Sequence, residues 1–499
     1  MASNIDSLDR TQGAPSRPAR HGGVNLTAIL AIIMVSYVMI VLDISIVITG
    51  LPKIHTELGF TDAGLSWVSN AYTLTFGGFL LLGARAGDIL GRRRMFVTGL
   101  VIFVISSLMI GIAQSPAWLI AARAVQGFGS AILAPSTLAL LQTNFPAGPA
   151  RTRAVSYYAA AAGVSASVGL VIGGVLADWW SWRVGFFMNV PVGLGLILAG
   201  MRFIPETARR SGAFDLVGAV TSTLGMSALV FGIVSSAGAG WADPQTSLAV
   251  VAGVVLLAIF VLTEWRARQP IMPLRLFSSR ERTGAYTSRM LFIGANVGFF
   301  FFATQFMQGV LGYSPAWAGL AFLPAMVVNF VAALAAPGLI ARFGSRVVVL
   351  GSMLAGLIGM ALLARVEVGT SYLASLALPM LLIGLGQGGT LGPLTTSGIA
   401  DVSSEDAGAA SGLVNAAHQI GGSLGLGLQI AVSVIGGGAL SGAALLAHRV
   451  ENAMGFAAVM IAAALVVALI TVPRRTVAEA SATVARRQSA ADQRPHHKS

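Results

Sequence analysis

Long apolar stretches separated by short polar ones run along almost the whole chain. A helix needs about 20 apolar residues to cross a hydrocarbon core of roughly 30 Å, and each stretch is close to that length. The stretches lie near residues 26–50, 66–86, 95–114, 117–141, 153–177, 184–202, 214–236, 247–264, 286–311, 316–340, 346–364, 371–397, 407–434 and 453–472. The pattern predicts an all-α polytopic membrane protein with fourteen transmembrane helices.

The helices and the polar stretches between them divide the chain into six regions. The predicted regions are a disordered cytoplasmic tail at 1–24, an N-terminal six-helix half at 25–205, two inserted helices at 206–265, a cytoplasmic basic loop at 266–285, a C-terminal six-helix half at 286–473 and a second disordered tail at 474–499.

The two six-helix halves share a repeat at an offset of 253 residues. The sequence L-G-F-T at 58–61 corresponds to L-G-Y-S at 311–314, and the same offset places Gly91 on Gly344 and Arg93 on Arg346. Duplicated halves that meet at a cavity are typical of secondary transporters. The repeat therefore predicts two related halves with two helices inserted between them.

Composition and charge narrow the class of protein further. The 499 residues are 55% hydrophobic and 10% charged, and the mean hydropathy of +0.80 excludes a soluble enzyme of this size. The net charge of +12 would favour nucleic acid in a soluble protein, but the basic residues lie in short loops and tails without interleaved aromatic residues. We therefore expect a lipid bilayer and no nucleic acid as a partner.

The basic residues also predict the orientation of the chain. Almost all of the 31 Lys and Arg residues fall in the tails and in the loops that follow even-numbered helices. The loops on the other side hold Lys53, Arg183, Arg365 and Arg449. Because loops rich in Lys and Arg stay in the cytoplasm, both termini are expected there.

Two ionisable residues lie deep within predicted helices, Asp43 in helix 1 and Arg123 in helix 4. Such residues are costly in a bilayer and are functional candidates by default. Burial favours the neutral form of a carboxyl group, whereas a nearby guanidinium favours its charged form. Because both influences act on Asp43, this residue could bind and release a proton. The alternative is a permanent ion pair that only orders the bundle.

The stretch 83–95 between helices 2 and 3 is predicted to form a short polar hinge. Its glycines allow a tight turn and close backbone approach, and Asp88 is its one acidic residue. Its D-I-L-G-R-R-R sequence at 88–94, preceded by Gly83 and Gly87, resembles the D-x-x-G-R-[RK]-[RK] part of a known signature. Further motifs follow the same family in order: L-D-I-S-I-V at 42–47 with Leu51-Pro52, R-A-V-Q-G-F-G at 123–129, F-F-M-N-V-P-V-G at 186–193, G-Y-S-P at 312–315 and A-S-G-L-V-N at 410–415.

These motifs together resemble the major facilitator superfamily, and specifically its fourteen-helix drug:proton antiporter branch. The resemblance implies a monomeric exporter of hydrophobic or amphipathic compounds in the inner membrane of a bacterial cell. It implies no cofactor, with a proton gradient as the energy source, and no metal. It also implies proton coupling through Asp43 and Arg123. Gating would involve Gly83, Asp88, Gly91, Arg92 and Arg93.

One motif departs from the family pattern. Helix 5 retains the glycines Gly163, Gly169, Gly173 and Gly174, but Leu170 stands where the antiporter motif has a proline. Antiport is therefore implied less firmly than the fold. In the second copy of the hinge, Ala341 and Ser345 replace the counterparts of Asp88 and Arg92.

Polar residues inside other helices are candidates for substrate binding. They are Gln126, Asn296, Gln305, Asn415 and His418. The alternative for each is ordinary hydrogen bonding between helices. Because helices 10 and 13 carry no acid in their membrane-spanning parts, a strictly dicationic substrate is less expected. Other hypotheses are an exporter of a lipid, a cell-envelope precursor, or a specific metabolite or antibiotic, and a non-transporting scaffold or sensor.

Overall fold

The computed structural model describes residues 25–145, 149–207, 215–267, 270, 272–402 and 406–473. The two predicted tails, at 1–24 and 474–499, lie outside the described residues. The described chain is helical throughout. Its helices are α1 Leu26–Leu58, α2 Trp67–Leu90, α3 Arg92–Gly111, α4 Pro116–Asn144, α5 Pro149–Trp179, α6 Trp182–Phe187, α7 Asn189–Phe203, α8 Leu216–Ala239, α9 Pro244–Arg266, α10 Arg280–Gly309, α11 Pro315–Ala321, α12 Leu323–Phe343, α13 Ser345–Leu363, α14 Leu378–Gly398, α15 Ala407–Ser433 and α16 Gly442–Thr471.

Twelve helical segments of the described residues are long and apolar enough to cross a membrane. Two of them are each built from a pair of helices, α6 with α7 and α11 with α12. The 31-residue α5 and the 27-residue α15 are not among the twelve. Membrane-spanning helices are thus confirmed, whereas the count of fourteen stays a prediction.

Backbone conformation repeats at the offset that the sequence predicts. Gly59 and Gly312 adopt φ values of 69° and 70°, and Gly91 and Gly344 adopt φ values of 106° and 83°. These are positive φ values that favour glycine, and each residue lies in a connection between two helices. The chain therefore turns in the same way at matching points of α1–α7 and α10–α16.

Several helices extend beyond the limits of the apolar stretches that predict them. α1 continues through Pro52 to Leu58, where Gly59 in the left-handed conformation ends it. α10 begins at Arg280 instead of 286, after the N-cap Ser279 accepts a hydrogen bond from the Arg282 amide. α16 begins at Gly442 instead of 453.

The polar hinge predicted at 83–95 is also shorter than expected. α2 continues to Leu90 and α3 begins at Arg92, so Gly91 is the single residue between them. Gly83 and Asp88 therefore lie in helix, because an α-helix that leaves the hydrocarbon core can continue with polar residues.

The halves meet through close helix contacts at both ends of the bundle. We call the end where α1 begins and α16 ends the tail end, and the opposite one the distal end. α2 packs on α15, and α5 packs on α11 toward the distal end. A Cβ on Gly174 of α5 would lie 2.4 Å from the carbonyl oxygen of Pro315, so only glycine permits this approach.

The inserted helices contact both halves. α8 packs on α2 of the N-terminal half and on α15 of the C-terminal half. At the first contact, a Cβ on Gly78 would meet the Thr223 hydroxyl at 2.1 Å. α9 packs on α8, and most of its surface is exposed. The pair therefore lies along the seam between the halves.

Replacement of Gly83 tests this close packing. A Cβ at Gly83 would lie 2.1 Å from the Ala131 carbonyl oxygen and 3.0 Å from the Ile132 Cα, both backbone atoms of α4. We expect Gly83→Ala to lower the free energy of unfolding by about 1–3 kcal/mol, since the two helices must separate. Gly195→Ala is the matched control, because nothing lies within 4 Å of a Cβ there. Thermal unfolding of the purified protein in detergent measures both, and equal melting temperatures would contradict the packing.

Candidate transport site

Asp43 and Arg123 form a buried ion pair in the N-terminal half. Arg123 Nη1 lies 2.7 Å from Asp43 Oδ2, and each residue is only 1% exposed. Asp43 lies midway along α1 and Arg123 in the first third of α4. The structure thus brings together the two residues that the sequence predicts as a pair.

Three further side chains complete the surroundings of the carboxylate. Gln126 Nε2 and Asn189 Nδ2 each donate to Asp43 Oδ1 at 2.9 Å. Gln126 Nε2 also donates to Ser107 Oγ at 2.9 Å. All of these side chains are buried. One carboxylate of α1 is therefore bonded to α4 and α7, and through Gln126 to α3.

The guanidinium of Arg123 has its own set of partners. Nε donates to the carbonyl oxygen of Val68 on α2 at 2.9 Å, and Nη1 donates to Gln126 Oε1 at 2.6 Å. Arg123 Cζ also lies 4.3 Å from the ring centroid of Tyr72, whose hydroxyl donates to Ser130. Sequence reasoning missed Ser107, Tyr72 and Asn189. Asn189 was detectable as a lone amide within the F-F-M-N-V-P-V-G motif.

The C-terminal half repeats this arrangement without charge. Asn296, the counterpart of Asp43 at the offset of 253, accepts a hydrogen bond from Gln387 Nε2 at 2.7 Å. Gln387 on α14 takes the place that Gln126 has on α4, and its Oε1 accepts from Asn329 Nδ2 at 3.4 Å. Both residues of the Asn296–Gln387 pair are buried. Asn296 therefore lies in a neutral core.

A third deeply placed charge was not singled out from the sequence. Arg289 was grouped with the basic residues at the ends of predicted helices, but it lies in the tenth position of α10 and is 8% exposed. Its Nη1 donates to the Leu391 carbonyl oxygen at 3.2 Å and to Thr395 Oγ1 at 2.8 Å, and its Nη2 lies 3.2 Å from His418 Nδ1. Because α10 begins at Arg280 rather than at 286, Arg289 lies well inside the helix and not at its end.

A cavity of about 840 Å³ opens between the halves at the distal end. Its walls mix aromatic and amide side chains from α10, among them Phe301, Phe302, Gln305 and Gln308. At its edge Asp62 of the N-terminal half forms an ion pair with Arg449 of the C-terminal half.

The five predicted substrate residues do not come together in this conformation. Gln126 is enclosed beside Asp43, Asn296 lies in the neutral core and Gln305 lines the distal cavity. His418 bonds to Arg289, and Asn415 is exposed one turn before it on α15. Their roles in substrate binding stay predictions.

The charged residues of the gating motif bond within the N-terminal half. Arg92 Nη2 lies 3.0 Å from Asp88 Oδ1, and Arg92 Nη1 donates to the Ala139 carbonyl oxygen of α4 at 3.0 Å. Glu206, which sequence reasoning missed, accepts the amide hydrogens of Arg93 at 3.1 Å and Arg94 at 3.2 Å. Its carboxylate therefore caps the positive end of α3.

The α5 glycines serve close contacts between helices. A Cβ on Gly169 would lie 2.7 Å from Ser45 Cβ, and one on Gly173 would lie 2.5 Å from the Ile46 Cα of α1. Gly174 faces α11, as described above, and Gly163 lies in the same helix. Leu170, at the motif's proline position, is buried.

The described residues contain no group of three or more His, Asp or Glu side chains that could hold a metal ion.

Comparison with known proteins identifies the type of chain that carries this site. The family model described as Major Facilitator Superfamily matches residues 33–426. The chain is 39% identical over 409 residues to a puromycin resistance protein of Streptomyces alboniger, which covers 81% of each chain. It is 38% identical over 447 residues to a cephamycin export protein of Amycolatopsis lactamdurans, which covers 88% of this chain and 91% of the relative.

The fold is also that of a solved transporter. A crystal structure of a peptide transporter in complex with sulfate matches with a TM-score of 0.65, covering 89% of this chain and 93% of the other. The sequence identity is 12%, so this likeness concerns the fold alone.

Removal of the Glu206 carboxylate tests the cap on α3. We expect Glu206→Ala to lower the free energy of unfolding by about 1 kcal/mol, because two amide hydrogens at the helix N-terminus lose their acceptor. Glu206→Gln should lose less, since its amide oxygen still accepts. Glu367→Ala is the control, because that exposed side chain lies outside any helix. Chemical unfolding measures the three variants, and a Glu206→Ala variant as stable as the control would rule out the cap.

Proposed function

Because the chain belongs to the Major Facilitator Superfamily and is a transporter rather than an enzyme, we propose that it exports drugs or antibiotics in exchange for protons. The observation that carries the proton part of this proposal is the Asp43 carboxylate, buried in the bundle and bonded to Arg123, Gln126 and Asn189. The names of the relatives, puromycin resistance and cephamycin export, support the substrate part.

Protonation of Asp43 would change how the N-terminal helices are held together. Neutralising one partner of a buried ion pair leaves the other charge uncompensated, which costs about 3–5 kcal/mol. Arg123 would then have to find a new acceptor or move. Since Asp43 bonds directly to α4 and α7 and Arg123 bonds to α2, a single proton would alter the contacts among four helices.

That change would be coupled to opening and closing of the space between the halves. The distal cavity lies between them, and the Asp62–Arg449 ion pair joins them at its edge. Rocking α1–α7 against α10–α16 would close this cavity and open one at the tail end. The Asp88–Arg92 pair would hold the tail end in one state and release it in the other.

The walls of the distal cavity support an amphipathic substrate. Phe301, Phe302 and Tyr313 offer aromatic surface, and Gln305 and Gln308 offer hydrogen-bonding groups. We place the protein in the bacterial inner membrane as a monomer with cytoplasmic termini. A transporter that exports one specific antibiotic or metabolite is the second candidate, favoured by the relatives named for single compounds.

Replacement of Asp43 tests proton coupling. In proteoliposomes with an imposed pH gradient, we expect the wild type to move rhodamine 6G only when the gradient is present. Asp43→Asn keeps the size of the side chain but cannot exchange a proton, so its gradient-driven transport should fall to the level of empty liposomes.

The matched control is Asp243→Asn in the link between α8 and α9. Asp243 Oδ2 caps α9 by accepting from the Thr246 amide, a role that Asn also fills. This variant should transport as the wild type does. If Asp43→Asn also transported the dye as the wild type does, Asp43 would be a structural partner of Arg123 and the coupling proposal would fail.

A further inference from the structure

Arg289 is a buried cation with unused hydrogen-bonding capacity. A guanidinium has five N–H groups, and Arg289 uses three of them, toward Leu391, Thr395 and His418. Its Nε has no hydrogen-bond partner although the atom is buried. Nη2 has no partner besides His418 in the part of the chain that the structure describes.

Nε and Nη2 lie along the edge of a guanidinium that can bind a carboxylate with two parallel bonds. Arg275 shows this geometry in the same half, where its Nε and Nη2 lie 2.9 Å and 2.6 Å from the two carboxylate oxygens of Asp406. The matching edge of Arg289 faces no carboxylate among the described residues. Arg123, which is more deeply buried, has Asp43. Arg282, which is 9% exposed, donates to the carbonyl oxygens of Leu276, Ala400 and Asp401.

Burial of a cation without a counter-charge is energetically unfavourable. An anion bound at Arg289 would compensate its charge. We propose that Arg289, with Thr395 and His418 beside it, binds a carboxylate carried by the transported compound. This inference rests on the proposed export function and adds hydrophobic acids and zwitterions to its substrates. It is consistent with the lack of a carboxylate that could attract a cationic drug at this place.

Exposed residues lie next to the cluster on two helices. On α15, His418 is half-buried and Asn415, one turn earlier on the same face, is exposed. On α14, Gly392 and Thr396 are exposed beside Leu391 and Thr395, which contact Arg289. A ligand that reaches these faces has its acidic group within one helical turn of the guanidinium.

His418 is suited to this role in its neutral form. Arginine stays charged and has only donors, so His418 Nδ1 must accept from it, which leaves the imidazole proton on Nε2. That proton is a further donor near the same place.

The binding of a matched acid and ester tests the proposal. The melting temperature of the full-length protein in detergent is measured with 2-naphthoate, methyl 2-naphthoate and acetate, since a ligand of the folded state raises it. We expect a rise with 2-naphthoate and none with the ester or acetate. Arg289→Gln should lose the rise. Arg342→Gln, which removes an exposed arginine of the same half, should keep it.

Arg289→Lys covers the case in which the glutamine variant does not fold. Lysine keeps the positive charge, but its ammonium group cannot make the two parallel hydrogen bonds of a guanidinium. The affinity of this variant for 2-naphthoate should therefore fall about tenfold or more. The proposal is overturned if the ester acts as strongly as the acid, if acetate acts as strongly as 2-naphthoate and the site takes any small anion, or if either Arg289 variant keeps the wild-type affinity.

The two proposals fail separately. If the wild type transports rhodamine 6G with the gradient but shows no preference for the acid, the exporter stands and the anion site is wrong. If the wild type binds 2-naphthoate through Arg289 but transports neither rhodamine 6G nor 2-naphthoate with the gradient, the site stands and the exporter is wrong.

Discussion

The Asp43 carboxylate is the interaction on which the N-terminal half depends. It lies in the interior of α1 and takes hydrogen bonds from α4 and α7. A buried charge is tolerable only when it is hydrogen-bonded and a counter-charge is near. Asp43 accepts three hydrogen bonds, one of them from the guanidinium of Arg123. This dependence makes the site sensitive to protonation, because a change in the charge of Asp43 requires its hydrogen-bond partners to move.

The two halves share a backbone and differ in charge. Their turns match at Gly59 and Gly312, and the amides Gln126 and Gln387 bond in the same way to the residues at the repeat position. The N-terminal half has an ion pair at the position where the C-terminal half has the neutral Asn296. In the C-terminal half, Arg289 is buried at a different position. Duplication fixed the helix framework, and the polar residues set within it give each half separate chemistry.

Glycine lets these helices approach until their backbones touch. On α5, Gly169 and Gly173 allow close contact with α1, while Gly174 allows close contact with α11 of the other half. Two neighbouring faces of one helix therefore serve a contact within the half and the contact between the halves. The inserted α8 covers the same seam at α2 and α15. Contacts between small residues hold the helices together by van der Waals packing alone. Such contacts suit helix surfaces that move past one another.

The sequence by itself determined the helical class, the repeat and the pairing of Asp43 with Arg123, because hydropathy, fixed offsets and rare buried charges are properties of the chain in one dimension. It also predicted a turn within 83–95, although not that Gly91 alone forms it. It missed Ser107, Asn189 and Glu206, and it did not single out Arg289. Only the tertiary structure decided these, since Asn189 lies 146 residues from Asp43 and Glu206 lies 113 from Arg93. Whether such side chains meet depends on how helices rotate and pack against one another, and no local pattern records that.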